Sequence, residues 1–349
     1  MDKGIWYALL AAALFGASTP LAKLLGGQTA PVALAALLYL GSGLGLLACF
    51  AARALVRPAG TQAPARLTRR DLPWLGGAIA SGGVAGPVLL LFGLAVTPAS
   101  TASLLLNLEG VLTASIAWCV FRENVDRRIL LGMLLIVGAG AMLTWQQPAA
   151  GVPWGALAIA GACLCWAVDN NLTRNIAASD ALQIACIKGL AAGTVNLILA
   201  AVLGQHLPPS GVAVAAGLVG FCGYGLSLVL FVLALRHLGT ARTGAYFSAA
   251  PFAGALLALV LLGEAPAPWF WLAAVMMAAG LYLHLTEAHG HAHVHTPLAH
   301  GHPHRHDAHH QHAHDFAWDG VEPHVHPHQH AVLTHTHAHY PDIHHRHRH

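Results

Sequence analysis

The chain has 349 residues, of which 56% are hydrophobic and only 9% charged, with a net charge of +3 and a mean hydropathy of +0.59. A soluble domain carries about 25% charged residues, so the composition excludes an ordinary soluble globule and requires an integral membrane protein. The 37 glycines and the alanine-rich runs suit close helix packing in lipid, where small residues let backbones approach.

In chain order the hydropathy pattern predicts ten apolar segments. They are Gly4–Leu25, Pro31–Leu55, Leu72–Val96, Ala99–Phe121, Ile129–Trp145, Pro153–Thr173, Ala181–Leu203, Gly211–Leu235, Ala241–Leu262 and Trp269–Thr286. Each is long enough to span a bilayer as a helix, with Ile129–Trp145 and Trp269–Thr286 near the lower limit. The first segment follows a short n-region with Lys3 but lacks a cleavage site, so no removable signal peptide is expected. All six cysteines fall inside apolar segments and read as reduced packing residues. Cys163 and Cys165, two apart on a helix, point to nearly opposite sides and make a poor metal clamp.

Orientation follows from the basic residues. With the N-terminus cytoplasmic, Lys3, Arg53, Arg57, Arg66, Arg69, Arg70, Arg122, Arg127, Arg128, Arg174, Arg236 and Arg242 all fall inside. The opposite connections, among them Thr97–Pro98, Gln146–Val152 and Gly263–Pro268, contain no Lys or Arg. This positive-inside pattern puts both termini in the cytoplasm. Only Lys23 and Lys188 escape it, and both lie within segments.

The two halves resemble each other. Gly86–Ala95 (GPVLLLFGLA) and Gly225–Ala234 (GLSLVLFVLA) agree at six of ten positions, and Thr101-Ala102 matches Thr240-Ala241 at the same offset of 139. Glu123 after the fourth segment matches Glu264 after the ninth, and Trp6-x-Ala8-Leu9 matches Trp154-x-Ala156-Leu157. The repeat is therefore five helices. Five is odd, so the second copy enters the membrane inverted, an architecture of secondary transporters with the substrate site near the midplane.

On these features the chain resembles the drug/metabolite transporter superfamily, of the ten-helix EamA-like type, over about Met1–Thr286. The resemblance rests on the two five-helix repeats, on Lys23 and Arg174 late in the first helix of each repeat, and on the Arg122-Glu123 and Gly263-Glu264 endings. It implies a central cavity lined mainly by helices 1–4 and 6–9, with helices 5 and 10 peripheral, and export or exchange of small organic metabolites. The aromatic-Gly start of helix 1 survives as Phe15-Gly16. In helix 6 it becomes Trp166-Ala167, followed by an unusually polar Asp169-Asn170-Asn171.

Glu109 is the first candidate site residue. It lies roughly midway along a segment that is otherwise apolar except for small hydroxyls and Asn107. A carboxylate near the centre of a bilayer costs on the order of 3 kcal/mol unless it faces a cavity or a partner. Low dielectric disfavours its charged form, so Glu109 could exchange a proton or bind an amine. The alternative is a structural, hydrogen-bonded carboxyl. Asn107, two residues earlier, points to nearly the opposite face and reads as interhelix glue or as a ligand. Asp169 and Lys188 sit at similar depth, about 5 Å apart along the membrane normal at ~1.5 Å per residue. Their helices are consecutive, antiparallel and expected to be neighbours. A buried pair would make each charge tolerable, as a staple or with a gating or substrate role. Asn170, Asn171 and Asn196 extend the polar wall. Lys23, near the outer end of helix 1, can snorkel.

The tail carries 23 of the 26 histidines. Its runs His289, His291, His293, His295 and His300, His302, His304, His306 supply many imidazoles without fixed geometry, a pattern that binds Ni, Co, Zn or Cu by number of ligands. Its Pro, Ala and Asp content predicts disorder. Enzyme chemistry has little support: Gly16-Ala17-Ser18 is an isolated G-x-S, and there is no His-Glu-x-x-His or phosphate loop. No cofactor is required. The basic residues lie at membrane edges, which leaves no nucleic-acid surface.

The sequence thus predicts an all-α polytopic membrane protein. It consists of residues 1–146 and 153–286 as inverted five-helix repeats, with a disordered His-rich cytoplasmic tail over 287–349. The expected function is secondary-active transport of a small metabolite or amino-acid-like solute, as an exporter in a bacterial inner membrane. Its partners are the solute and the lipid bilayer, and a homodimer is compatible with it. The alternatives are a divalent-metal permease fed by the tail, and a metal-storage or sensory membrane protein that transports nothing.

Overall fold

A computed structural model of the chain describes residues 3–56, 67–121, 127–145, 153–173, 176, 180–238, 243, 246–285, 289–295, 298–304, 324–330 and 333–339. Residues Met1–Thr286 form one compact unit, and Glu287–His349 a second.

Among its described residues the first unit consists of helices and the turns and links that join them, with no strand. In lipid every backbone polar group needs an internal partner, and a helix supplies one within each segment. The helices are α1 (Lys3–Gly26), α2 (Pro31–Val56), α3 (Leu72–Ala78), α4 (Gly86–Val96), α5 (Ala99–Leu105), α6 (Leu108–Phe121) and α7 (Arg127–Trp145). The second half continues with α8 (Trp154–Thr173), α9 (Ala181–Val202), α10 (Ser210–Gly220), α11 (Ser227–Leu238), α12 (Ala250–Leu262) and α13 (Pro268–Leu285). A π turn, Ile79–Ala85, joins α3 to α4, and another, Phe221–Leu226, joins α10 to α11. Eight helical stretches are long and apolar enough to cross a membrane, and they coincide with the first eight predicted segments. The ninth and tenth appear as shorter apolar helices, α12 and α13. Large apolar side chains such as Leu44, Phe92, Leu134, Val202 and Val260 remain exposed, as a lipid-facing surface requires.

The fourth predicted segment is not one continuous helix. The ladder breaks at Leu106-Asn107, where the Asn107 amide nitrogen donates to the Leu104 carbonyl at 2.9 Å. An asparagine side chain competes in this way for the local backbone. Glu109 therefore lies in the first turn of α6, not in the middle of an unbroken helix.

The principal helix pairs are α2 with α9, α7 with α13, α1 with α11, α4 with α8, α1 with α12, α5 with α12, and α6 with α8. Small residues set the closest crossings. Pro20 in α1 has no N–H to give the Gly16 carbonyl four residues back. Gly254 of α12 packs against that carbonyl, so that a Cβ at Gly254 would stand 2.6 Å from it. Gly280 of α13 lies as close to the Gly132 carbonyl of α7. The helices α7 and α13 pack chiefly on one another, the peripheral position expected for the fifth and tenth segments.

Four strands are described in the second unit: β1 (His289–His295), β2 (Leu298–His304), β3 (His324–His330) and β4 (Leu333–His339). The strand β1 pairs antiparallel with β4, and β2 with β3. His289, His291 and His293 fall opposite His339, His337 and His335, while His300, His302 and His304 fall opposite His328, His326 and His324. The His-x-His alternation has the two-residue period of a strand, a signal that reading the tail by composition overlooks. His306 lies outside the described residues.

Candidate functional site

The last two turns of α8 carry three consecutive polar side chains, Asp169, Asn170 and Asn171. Asp169 and Asn171 are buried, whereas Asn170 is exposed. At 100° per residue three consecutive positions cannot share a face, and Asp169 turns away from the side of the two asparagines. Asn170 turns to α6, donating to the Glu109 carboxylate at 2.8 Å, with Thr113 Oγ1 at 3.5 Å. Asn171 bonds back to the Ala167 carbonyl at 2.8 Å and reaches the Thr113 carbonyl at 3.4 Å. Asp169 turns the other way, to α9, and accepts from Lys188 Nζ at 2.6 and 2.7 Å and from Thr173 Oγ1 at 2.8 Å.

The predicted Asp169–Lys188 pair therefore forms, but not between two packed helices. The main partner of α9 is α2, and those of α8 are α4 and α6. The π turn Ile79–Ala85 lies against both α8 and α9, and the ion pair reaches past it. A Cβ at Gly82 would overlap the Asp169 carboxylate. The glycine is what allows the pair to close.

The π turn displaces carbonyls from the regular ladder, and side chains from three helices take them up. The Gly82 carbonyl accepts from Tyr39 Oη of α2 at 2.9 Å and from Trp166 Nε1 of α8 at 3.0 Å. The Gly83 carbonyl accepts from Asn196 Nδ2 of α9 at 3.0 Å, while the fully buried Asn196 Oδ1 has no hydrogen-bond partner. Tyr39 stacks on Tyr224 of the second π turn, ring centroids 5.5 Å apart. Tyr224 meets Phe15 edge-on at 6.0 Å, and Phe15 meets Phe247 at 5.5 Å. This aromatic run adjoins the charged cluster. Sequence reasoning passed over Tyr39, Tyr224 and Gly82; the available signal was a hydroxyl-bearing ring within a run of alanines and leucines and a Gly82-Gly83 pair in mid-segment.

The remaining candidates are separate. Asn107 is buried on the α13 side, its amide 3.8 Å from Met277 Sδ, and so faces away from Glu109 as expected. Lys23 does not snorkel. Its Nζ donates to the carbonyls of Leu94, Ala95 and Thr97 at the end of α4. Arg174, Arg122 and Glu123 lie outside the described residues. Among the described residues no group of three His, Cys, Asp or Glu side chains could hold a metal ion. A cavity of about 300 Å³ lined by Leu46, Cys49, Arg53, Asp180, Ala185 and Phe221 shares no lining residue with the Glu109 cluster. At its edge Arg53 pairs with Asp180 at 2.6 Å.

A bundle of apolar helices with lipid-facing leucines outside and ionisable side chains within defines a multi-pass membrane protein whose interior handles polar chemistry. The EamA-like transporter family model matches residues 2–145 and again 153–286; the chain belongs to that family. It is 27% identical over 290 residues to an "Uncharacterized transporter" of Methanothermobacter thermautotrophicus, covering 79% of this chain and 84% of the relative. It is also 27% identical over 234 residues to a "Probable terminal-alkyne amino-acid exporter" of Streptantibioticus cattleyicolor, covering 66% of this chain and 78% of the relative. A solved crystal structure shares the fold with a TM-score of 0.59 at 18% identity, over 81% of this chain and 96% of the other.

Proposed function

We propose that the chain is a secondary-active permease that exports a small amino-acid-like solute by alternating access, with Glu109 as the solute- or proton-binding carboxylate. The carrying observation is the unequal treatment of two acids within the bundle, the buried Asp169 and the half-buried Glu109. Asp169 has its own ammonium in Lys188, whereas Glu109 has a neutral amide, Asn170. Among the described residues Glu109 has no cationic partner, and the ammonium group of an amino acid would supply one. The name of the Streptantibioticus relative supports the same solute class.

Alternating access needs two halves that exchange roles. Numbering the apolar segments one to ten, the main pairs are two with seven, four with nine, five with ten, one with eight and three with six, one with nine and four with six, and two with eight and three with seven. Exchanging the first five with the second five maps this set onto itself, which supports the inverted repeat. With the positive-inside pattern it favours ten spans and cytoplasmic termini, in a bacterial inner membrane.

The test is counterflow by the purified full chain in liposomes preloaded with single unlabelled amino acids. Uptake of the matching labelled amino acid in at least one case is expected. Failure across the twenty standard and several non-standard amino acids would remove the solute class.

A further inference from the structure

Given the transport activity proposed above, we propose that Lys23 and Glu264 form the latch that closes one end of the transport path. Three chain segments converge on the two-residue link Thr97-Pro98. Lys23, from the last turn of α1, gathers the carbonyls of Leu94, Ala95 and Thr97 before the link. Glu264, from the connection after α12, takes the amides beyond it. Its Oε1 accepts from Ala99 N at 2.7 Å, and its Oε2 accepts from Ser100 N at 2.9 Å and from Ser100 Oγ. The start of α8 is the third, with Gly155 so close that a Cβ there would overlap Thr97 Oγ1.

The approach of Glu264 is built into the backbone. Gly263 ends α12 at φ 62, ψ 28, the left-handed conformation that glycine adopts without penalty. That turn ends the helix one residue before Glu264. Opposite charges thus hold opposite sides of one link. At the same end the Ala33 amide donates to Gln205 Oε1 at 3.1 Å, tying α2 to the α9–α10 connection.

The other end of the bundle differs. There Asn170 is exposed one turn from the end of α8, and the Arg53-edged cavity lies among α2, α9, the second π turn and α11. The described conformation is held closed at the Lys23 end by the contacts of Lys23 and Glu264. Both latch charges act on main-chain groups of a hairpin joining two spans. Releasing them frees that hairpin without breaking either helix.

Ser103 reports the latch. It lies one turn inside Ser100, is 1% exposed, and its Oγ has no hydrogen-bond partner. In the full chain carrying Ser103→Cys, an impermeant maleimide is added to one side and then to the other side of sealed vesicles. Peptide mapping separates the introduced thiol from the native cysteines. Lys23→Met and Glu264→Ala should each raise labelling from the Lys23 side about tenfold, with labelling from the other side and the melting temperature unchanged. Lys23→Arg should stay protected. Protection persisting in both Lys23→Met and Glu264→Ala would overturn the latch. So would labelling that rises equally from both sides, or a collapse of melting temperature in both, since either shows a purely structural contact. The labelling needs no solute, so a failed amino-acid screen and a failed latch are read independently.

Discussion

Lys188 places its ammonium on both carboxylate oxygens of Asp169, at 2.6 and 2.7 Å, across the backbone of Gly82. Removing one partner leaves the other charge in the bundle without compensation. Lys188→Met is expected to destabilise the protein by about 3–5 kcal/mol, whereas Asp169→Leu with Lys188→Met should recover most of that loss. Thermal unfolding of both variants in detergent checks this. Equal losses in the single and double variants would show that the pair does not act as a unit.

Gly82→Ala should open the same pair, because its methyl overlaps the carboxylate of Asp169. Overpacking of this kind costs about 1–3 kcal/mol. Gly76→Ala is the control, since a Cβ there meets nothing within 4 Å and replaces a poor helix former. Gly82→Ala as stable as Gly76→Ala would contradict the tight approach.

Glu109→Gln keeps the shape and the contact to Asn170 but has no proton to exchange. The variant should still insert, because a neutral amide costs less in hydrocarbon than a charge. Proton-driven accumulation should be lost while downhill exchange persists, and the pH dependence should flatten. Glu109→Asp should retain some activity with a shifted pH optimum. Transport by Glu109→Gln at wild-type rates across all pH values would remove Glu109 from the mechanism.

Reporter fusions test the orientation. A fusion after Thr286 and one within residues 57–70 should report the cytoplasm, and one within 146–152 the opposite side. A reporter after Thr286 on the outside would break the arrangement of ten spans.

Deleting residues 289–349 should leave the melting of the helical unit unchanged, because Met1–Thr286 is compact by itself. It should abolish most nickel or zinc binding, read by calorimetry with the free ion, because the deleted stretch holds 23 of the 26 histidines. Solute transport should persist. Loss of the helical fold on deletion would show that the tail supports the bundle.

The sequence by itself determined the membrane class, the first eight spans, the family, and Asp169, Lys188 and Glu109 as residues worth attention. Apolar length and an isolated charge are one-dimensional signals, because lipid forbids an unpaired backbone and makes any charge conspicuous. Depth along each helix was also enough to pair Asp169 with Lys188. Only the tertiary structure decided that the π turn around Gly82 lies between those two helices, that Tyr39, Trp166 and Asn196 converge on its carbonyls, and that Lys23 serves Thr97 instead of the lipid surface. The break at Asn107 was decided there as well, since one side chain's competition for a carbonyl leaves no trace in hydropathy. These features depend on rotation about each helix axis and on which helices touch. In a segment apolar on every side, the residue pattern carries almost no information about either.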